Sequence, residues 1–218
     1  MCFSASVSYG SAALLISTGA VTTLGNTSKQ HRMIAAIPFL FGIQQAAEGV
    51  VWQSTGSGLV GNLSQYGALL FVAVALVVWP SWLPWSLYQV EENEKRKTIL
   101  KVIGFMGLGV SLLAASVLYT VEVQAYVVGH SLGYSFLNMK RFWPASIDFL
   151  IYDIPTMIPF FVSSLRTVKK AGYLVFAGMV LAQAINREAT TSIWCFFAAV
   201  ISLYIAVNVL WGQRGRLV

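Results

Sequence analysis

Apolar runs of about 20 residues recur along the whole chain, and they restrict its possible folds more than any other feature. A helix of that length crosses the ~30 Å hydrocarbon core of a bilayer. Because lipid offers no hydrogen bonds to the backbone, each run must lie in a helix or in a closed barrel. The apolar residues are continuous rather than alternating, which favours helices. The pattern therefore predicts a protein whose helices cross a membrane several times.

Composition supports the same class. Of the 218 residues, 57% are hydrophobic and 10% are charged, whereas a soluble domain carries about 25% charged residues. The formal net charge is +6, but the basic residues lie in short segments between apolar runs, so no nucleic-acid partner is expected. Because no linker or low-complexity tract interrupts the chain, residues 1–218 are expected to form one transmembrane domain.

Seven spans are expected, which predicts an all-α, polytopic bundle of seven transmembrane helices. The predicted spans cover residues 6–24, 34–53, 66–90, 99–119, 145–165, 172–185 and 191–212. Pro80 and Pro84 lie in the third span, and Pro155 and Pro159 lie in the fifth. Each proline removes a backbone donor, so kinks are expected in both helices.

The distribution of Lys and Arg predicts the direction of the spans. Eleven of the 14 basic residues follow spans 1, 3 and 5 or lie near the C-terminus: Lys29, Arg32, Lys95, Arg96, Lys97, Lys101, Arg166, Lys169, Lys170, Arg214 and Arg216. The other three, Lys140, Arg141 and Arg187, fall on the opposite side. Because cytoplasmic loops carry an excess of Lys and Arg, the N-terminus is expected outside and the C-terminus in the cytoplasm.

Polar side chains interrupt the second span. Gln44, Gln45 and Glu48 lie within the apolar sequence FGIQQAAEGVVW, residues 41–52. Helical spacing places Gln45, Glu48 and Trp52 on one face, with Gln44 beside them. A charged group inside a membrane helix costs about 2.5–3.5 kcal/mol on insertion scales, so its presence needs a reason. Two interpretations stay open: hydrogen bonds that hold helices together, or a functional pocket walled by Trp52.

Other acidic residues divide between the two sides. Glu122, Asp148, Asp153 and Glu188 fall on the outer side, and Asp153 is the deeper candidate of the two in span 5. Arg187 is expected either to pair with Glu188 or to reach into the pocket. Glu91, Glu92 and Glu94 accompany the basic cytoplasmic segment and are interpreted as a solvated cluster. His31, in a cytoplasmic loop, is assigned no role.

The two cysteines and His130 suggest a metal site. Cys2 and Cys195 both fall on the outer side, where three interpretations compete: a disulfide, thiol ligands to a soft metal such as copper or zinc, or a small buried side chain at Cys195. His130 lies in the outer segment 121–143, which is expected to fold as a lid or an interfacial helix. His130 could complete a metal site with Cys2, Glu48 and Cys195.

Small residues at helical spacing predict close packing between helices. Gly42, Ala46 and Gly49 form one such edge on the second span, and Gly107, Ser111 and Ala115 form another on the fourth. Such edges let a neighbouring backbone approach closely. They leave open whether the neighbour belongs to the same chain, so the oligomeric state is not predicted.

Several membrane-protein classes are excluded by the sequence. Retinal needs a lysine inside a helix for its Schiff base, whereas the seven lysines lie in loops or near span ends. Two histidines are too few for a three-histidine zinc hydrolase. The sequence contains no HExxH, G-x-S-x-G or Walker A motif.

Four separated motifs resemble an uncharacterised family of bacterial integral membrane proteins known as a domain of unknown function. The motifs are MCFSAS at the N-terminus, IPFLFGIQQAAEGVVW in span 2, VVWPSWLP in span 3 and REATTSIWCFFAA running into span 7. The resemblance implies the cytoplasmic membrane of a bacterium and no particular activity. It groups Cys2, Arg187, Trp194 and Cys195 with the span-2 residues at one membrane face. Trp79 and its neighbours in the third motif are interpreted as a kink and an interfacial belt.

Three functional hypotheses follow. The first is a protein that binds a metal ion or a small polar ligand in an outward-facing intramembrane pocket, for uptake, sensing or storage. Its ligand-binding residues would be Gln44, Gln45, Glu48, Trp52, Asp153, Arg187 and Trp194. The second is a membrane enzyme with Glu48 as general base. The third is a structural or partner-binding subunit in which the polar groups only join helices.

Overall fold

The computed structural model describes residues 4–25, 28–56, 62–139 and 145–212, and it is all-α apart from one β-hairpin within those ranges. Among the described residues, six helices are long and apolar enough to cross a membrane: Ala5–Leu24, Lys29–Thr55, Asn62–Val90, Glu94–Thr120, Arg166–Ile185 and Thr190–Asn208. A shorter apolar helix covers Leu150–Val162. The chain thus has the helices of a membrane protein, as the apolar runs predicted.

The helices are numbered α1 to α9 in chain order. They are α1 (Ala5–Leu24), α2 (Arg32–Ala35), α3 (Ile37–Gly56), α4 (Asn62–Ala73), α5 (Trp79–Val90), α6 (Glu94–Thr120), α7 (Ala145–Val162), α8 (Arg166–Ile185) and α9 (Thr190–Gly212). A 3₁₀ turn, Lys29–His31, precedes α2. A π-helical turn, Val74–Val78, joins α4 to α5, so these two helices form one continuous element.

Two helices begin earlier than the predicted spans. The spans were placed by apolar residues, so they left out the charged first turns of these helices. Helix α6 begins at Glu94 rather than at residue 99, since the Asn93 side chain caps it by accepting from Arg96 N over 3.1 Å. Helix α8 begins at Arg166 rather than at residue 172. Long cationic side chains can lie along an apolar helix while their charges reach water, so they do not end it.

Helix α6 meets α5 at Pro80, two residues after the π-helical turn. A proline cannot donate to the carbonyl four residues earlier, and the wider turn at Val74–Val78 accommodates this break. A Cβ atom added at Gly107 would overlap the Pro80 carbonyl oxygen. The close approach predicted for Gly107 is therefore made within one chain, between α5 and α6.

The small-residue edge of α3 packs against α1. A Cβ atom added at Gly42 would lie 2.8 Å from the Ile16 backbone nitrogen, and one at Gly49 would lie 2.7 Å from the Tyr9 ring. Tyr9 Oη also donates to Gln53 Oε1 over 2.9 Å. Small residues at these positions let the two helices pack along most of their length, as predicted.

One end of the bundle, which we call the basic end, contains the segments around 28–35, 90–97 and 162–170. Trp82 Nε1 donates to Met33 O over 3.0 Å, and Arg96 Nη1 donates to Ser163 O over 3.0 Å. Nine of the ten described Lys and Arg residues lie here: Lys29, Arg32, Lys95, Arg96, Lys97, Lys101, Arg166, Lys169 and Lys170. The tenth, Arg187, lies between α8 and α9 at the other end.

The other end, which we call the hairpin end, is covered by two antiparallel strands, β1 (Glu122–Val128) and β2 (Ser131–Leu137). Val123 and Leu132 are buried against α4, and the Tyr134 ring stacks on Phe71 with centroids 4.7 Å apart. The predicted interfacial helix is therefore wrong, because β-branched and aromatic residues on both sides of a turn at Gly129 favour a hairpin. The segment lies over one end of the bundle, and its role as a lid on the outer side stays a prediction.

Candidate functional site

Three polar side chains of α3 lie in the interior of the bundle. Gln44, Gln45 and Glu48 are each 0% exposed. A side chain at this depth has no water to bond, so each polar atom must find a partner on another helix or on α3 itself. Their partners decide which helices are held together.

Glu48 joins α3 to the first turn of α9. The Ser192 hydroxyl donates to Glu48 Oε1, and Gln45 Nε2 donates to Glu48 Oε2 over 3.3 Å. Glu48 and Ser192 are 144 residues apart in sequence. The N-terminal turn of a helix carries partial positive charge, which favours an acidic group beside it. The contact therefore fixes the second long helix against the last.

Gln44 connects three helices. Its Oε1 accepts from Trp79 Nε1 over 3.1 Å, and its Nε2 donates to Cys195 Sγ over 3.3 Å and to the Phe71 carbonyl over 3.4 Å. Both amide donors and the amide oxygen are therefore engaged. Residues of the second, third and fourth sequence motifs meet at this one side chain.

A narrow cavity, which we call the slot, lies beside this polar layer. It encloses about 60 Å³ between α3, α5, α7, α8 and α9. Its lining comprises Ile37, Phe41, Trp79, Leu83, Tyr152, Thr156, Phe160, Val175, Trp194, Cys195, Ala198, Ile201, Ser202 and Ile205. The α9 members, from Trp194 to Ile205, lie on one helical face and cover about 16 Å at 1.5 Å per residue. The slot is thus long, thin and apolar.

Aromatic rings form the end of the slot nearest Gln44. Phe41 and Trp79 stack with centroids 4.1 Å apart, and Tyr152 meets Trp194 edge-to-face at 6.0 Å. The Tyr152 hydroxyl donates to the Ala75 carbonyl over 2.8 Å. Because these polar tips are engaged by the protein, this end of the slot presents mainly ring faces to anything inside it.

The predicted ligand-binding residues separate into three groups. Trp194 lines the slot, and Gln44 bonds two lining residues. Gln45 and Glu48 are buried in the polar layer and are not part of the described lining. The remaining three lie elsewhere. Trp52 packs with the apolar cluster beneath the hairpin, and Arg187 is exposed. Asp153 is half-buried, and its Oδ1 atom is buried without a hydrogen-bond partner among the described residues.

The predicted metal ligands do not come together within the part of the chain that the structure describes. Those residues contain no group of three or more His, Cys, Asp or Glu side chains able to hold a metal ion. Cys195 is a buried free thiol, and His130 is exposed in the hairpin turn. Cys2 and the Asp148 side chain lie outside the described residues. The metal site therefore stays a prediction without structural support.

Glu91 corrects the interpretation of the basic-end acids as a solvated cluster. Its side chain is buried, and it accepts from Ser164 N over 2.7 Å, Ser164 Oγ over 2.6 Å and Asn93 N over 3.1 Å. Burial raises the pKa of Glu91, but the hydrogen bonds from Ser164, Asn93 and Ser163 outweigh it and hold the pKa below its usual value. Glu91 thus ties the α5–α6 connection to the α7–α8 connection.

Sequence reasoning missed Trp79, Ser192 and Tyr152. Trp79 was assigned to an interfacial belt, yet it is 7% exposed and bonds Gln44. Its position well inside the third span was a signal against an interfacial location. Ser192 carried a similar signal. Its hydroxyl lies two residues before Trp194 in an apolar motif, so it needs a hydrogen-bond partner in the interior. Nothing in the sequence identified Tyr152 as part of a cavity wall.

The comparison with known proteins gives a family and no activity. A family of unknown function, DUF6629, matches residues 1–216, which is nearly the whole chain. No curated protein matches the chain. The match covers all four motifs, including the three that meet at Gln44. The chain therefore belongs to the DUF6629 family of unknown function.

Proposed function

We propose that this membrane protein binds a small, mainly apolar molecule in the slot. The carrying observation is that Trp79 and Cys195, both in the slot wall, are held by the fully enclosed side chain of Gln44. Cavities lined mainly by apolar and aromatic side chains, with a few polar groups, are typical of sites for small organic ligands. Uptake, sensing or storage of that molecule would each use such a site.

Glu48 acts in this proposal as a positioning residue. Its carboxyl group bonds Ser192, three residues before the slot-lining Cys195 on the same helix. It therefore sets the position of α9, and through α9 the width of the slot. A general base must reach the proton it abstracts. Glu48 is enclosed in the polar layer behind the slot wall, which favours the positioning role over catalysis.

A metal ion is the alternative occupant. Cys195 and Glu48 supply one soft and one hard donor, and Cys2 would have to supply another. The apolar lining of the slot favours an organic molecule, because metal ions need several polar ligands. Copper or zinc would be the expected ions if the alternative were correct.

The orientation is part of the proposal. We propose seven spans in a bacterial cytoplasmic membrane, with an external N-terminus and a cytoplasmic C-terminus. The nine described cations at the basic end support this orientation. In a Cys2→Ser background, His130→Cys should react with an impermeant maleimide in intact cells. Lys95→Cys should react only after permeabilisation. The reverse labelling pattern would show that the protein faces the other way.

Mass spectrometry of the intact protein, released from detergent, tests the binding proposal. Ala198→Leu places extra carbon atoms in the slot, and Ala177→Leu makes the same change at an exposed position of α8. We expect the wild type and Ala177→Leu to retain a co-purified organic molecule and Ala198→Leu to lose it.

Two outcomes would overturn the proposal. One is the absence of any organic species whose binding depends on Ala198. The other is a stoichiometric metal, seen by elemental analysis, that disappears in Cys2→Ser and Cys195→Ser while no organic molecule is bound.

A further inference from the structure

A second cavity, which we call the basic-end cavity, adjoins the slot. It encloses about 340 Å³ and is lined by His31, Ile34, Val90, Ser164, Leu165, Arg166, Thr167, Val168, Ile205 and Asn208. Ile205 also lines the slot. The two cavities therefore share a wall residue on α9, and the basic-end cavity is the larger and the less apolar of the two.

The small volume of the slot favours a thin occupant. A water-sized sphere needs about 10–15 Å³ of such volume, so 60 Å³ holds only a few spheres. The α9 residues that line it, from Trp194 to Ile205, cover about 16 Å. An unbranched hydrocarbon chain would therefore require less movement of the helices than a bulky ring system.

The basic-end cavity offers donors to an anion. Arg166 is an exposed residue of its lining, and the His31 ring is oriented by a 3.0 Å contact between Nδ1 and Ser28 Oγ. Helix α8 begins at the cavity wall without a side-chain cap, so first-turn N–H groups are available there. Ser164 contributes less, because it already donates to Glu91.

The charge around the cavity is positive. Nine Lys and Arg residues at this end face three acidic ones, Glu91, Glu92 and Glu94. The Glu91 carboxylate is already engaged by Ser164 and Asn93. An anionic group in the cavity would therefore meet net positive potential close to the membrane surface.

Resting on the proposed function of the slot, we propose that the ligand is a membrane amphiphile with an anionic headgroup. Its headgroup lies in the basic-end cavity with Arg166, and one hydrocarbon chain passes Ile205 into the slot. Arg166 and His31 thus select the headgroup, and the α9 face selects the chain.

Lipid binding to the purified protein tests this assignment by intact-protein mass spectrometry. The probes are phosphatidylglycerol and phosphatidylcholine with identical acyl chains. The wild type should prefer phosphatidylglycerol, and Arg166→Gln should reduce that preference about fivefold, the size of one charge-assisted hydrogen bond near water. The control Lys170→Gln removes an exposed cation four residues further along α8 and should leave the preference unchanged.

The arms of the experiment separate the two proposals. If Ala198→Leu weakens binding of both lipids but Arg166→Gln does not alter the preference, the headgroup assignment is wrong and slot binding stands. If Ala198→Leu weakens neither lipid, slot binding itself fails. If soluble glycerol phosphate binds as tightly as phosphatidylglycerol, the cavity holds a free phosphate compound and the amphiphile is ruled out.

Discussion

Glu48 and Glu91 are both buried glutamates, but their hydrogen-bond partners differ in kind. Glu48 bonds two side chains, Ser192 and Gln45, in the interior of the bundle. Glu91 bonds two backbone N–H groups and a hydroxyl at the basic end, where Ser164 is exposed to water. Glu48 therefore joins two helices, α3 and α9, whereas Glu91 joins the α5–α6 loop to the α7–α8 loop.

The difference shows that the cost of losing a buried carboxyl depends on what can replace it. Water can reach the donors left by Glu91, whereas packed side chains surround those left by Glu48. Loss of the same hydrogen bond should therefore destabilise the protein more in the interior of a membrane bundle than near water, even though each bond contributes a modest free energy.

The largest effect is expected for Glu48→Ala. It leaves the Ser192 hydroxyl and the Gln45 amide without the acceptor they share, and it creates a void. The free energy of unfolding should fall by about 3 kcal/mol. Glu48→Gln retains one acceptor and should cost less than half as much. Unfolding titrations in detergent micelles measure both, with exposed Glu188→Ala as the control. A loss equal to that of the control would show that Glu48 does not hold α3 to α9.

Glu91→Ala should have a smaller effect, about 1.5 kcal/mol, because water can bond the freed N–H groups of Ser164 and Asn93. Exposed Glu92→Ala, one residue away, provides the matched control. Hydrogen exchange at Ser164 should also rise in the Glu91 variant and not in the control. If Glu91→Ala cost more than Glu48→Ala, the proposed difference between interior and basic end would be contradicted.

Ser192→Ala removes one donor and leaves the Gln45 contact to Glu48 intact. The expected loss in the free energy of unfolding is about 1 kcal/mol. Ser202→Ala is the matched control, since the Ser202 hydroxyl is also buried on α9 but donates to the carbonyl of Ala199 on its own helix. A double-mutant cycle with Glu48→Gln should give a coupling energy between positions 48 and 192, and none between positions 48 and 202.

The smallest effect is the pH dependence that Glu91 contributes. Its pKa is lower in the folded protein than its usual value of 4.5, so the charged form is favoured by folding. This stabilisation is fully present above about pH 4.5 and is lost as pH falls through the lowered folded-state pKa. The stability difference between wild type and Glu91→Gln should therefore shrink below pH 4.5. A difference that grew on acidification would have the wrong sign.

Much of the fold was predictable because a bilayer imposes strict rules on a sequence. The lengths of the apolar runs predicted most of the long helices to within a few residues. The edge formed by Gly42, Ala46 and Gly49 identified the face of α3 that packs closely against α1. The hairpin and the early start of α8 were not predicted, since short strands and charged first turns do not follow the apolar pattern. The buried position of Glu91 was missed because a charged neighbourhood in sequence resembles a solvated surface.

The sequence by itself determined the membrane class, the approximate helices and the enclosure of a carboxyl and two amides in α3, because each follows from the transfer of local segments into lipid. Only the tertiary structure decided that Glu48 meets Ser192, that Gln44 holds Trp79 and Cys195, and that Ile205 lines both the slot and the basic-end cavity. Those contacts join residues far apart in the chain, and their existence depends on how the helices rotate and pack. Local periodicity does not carry that information.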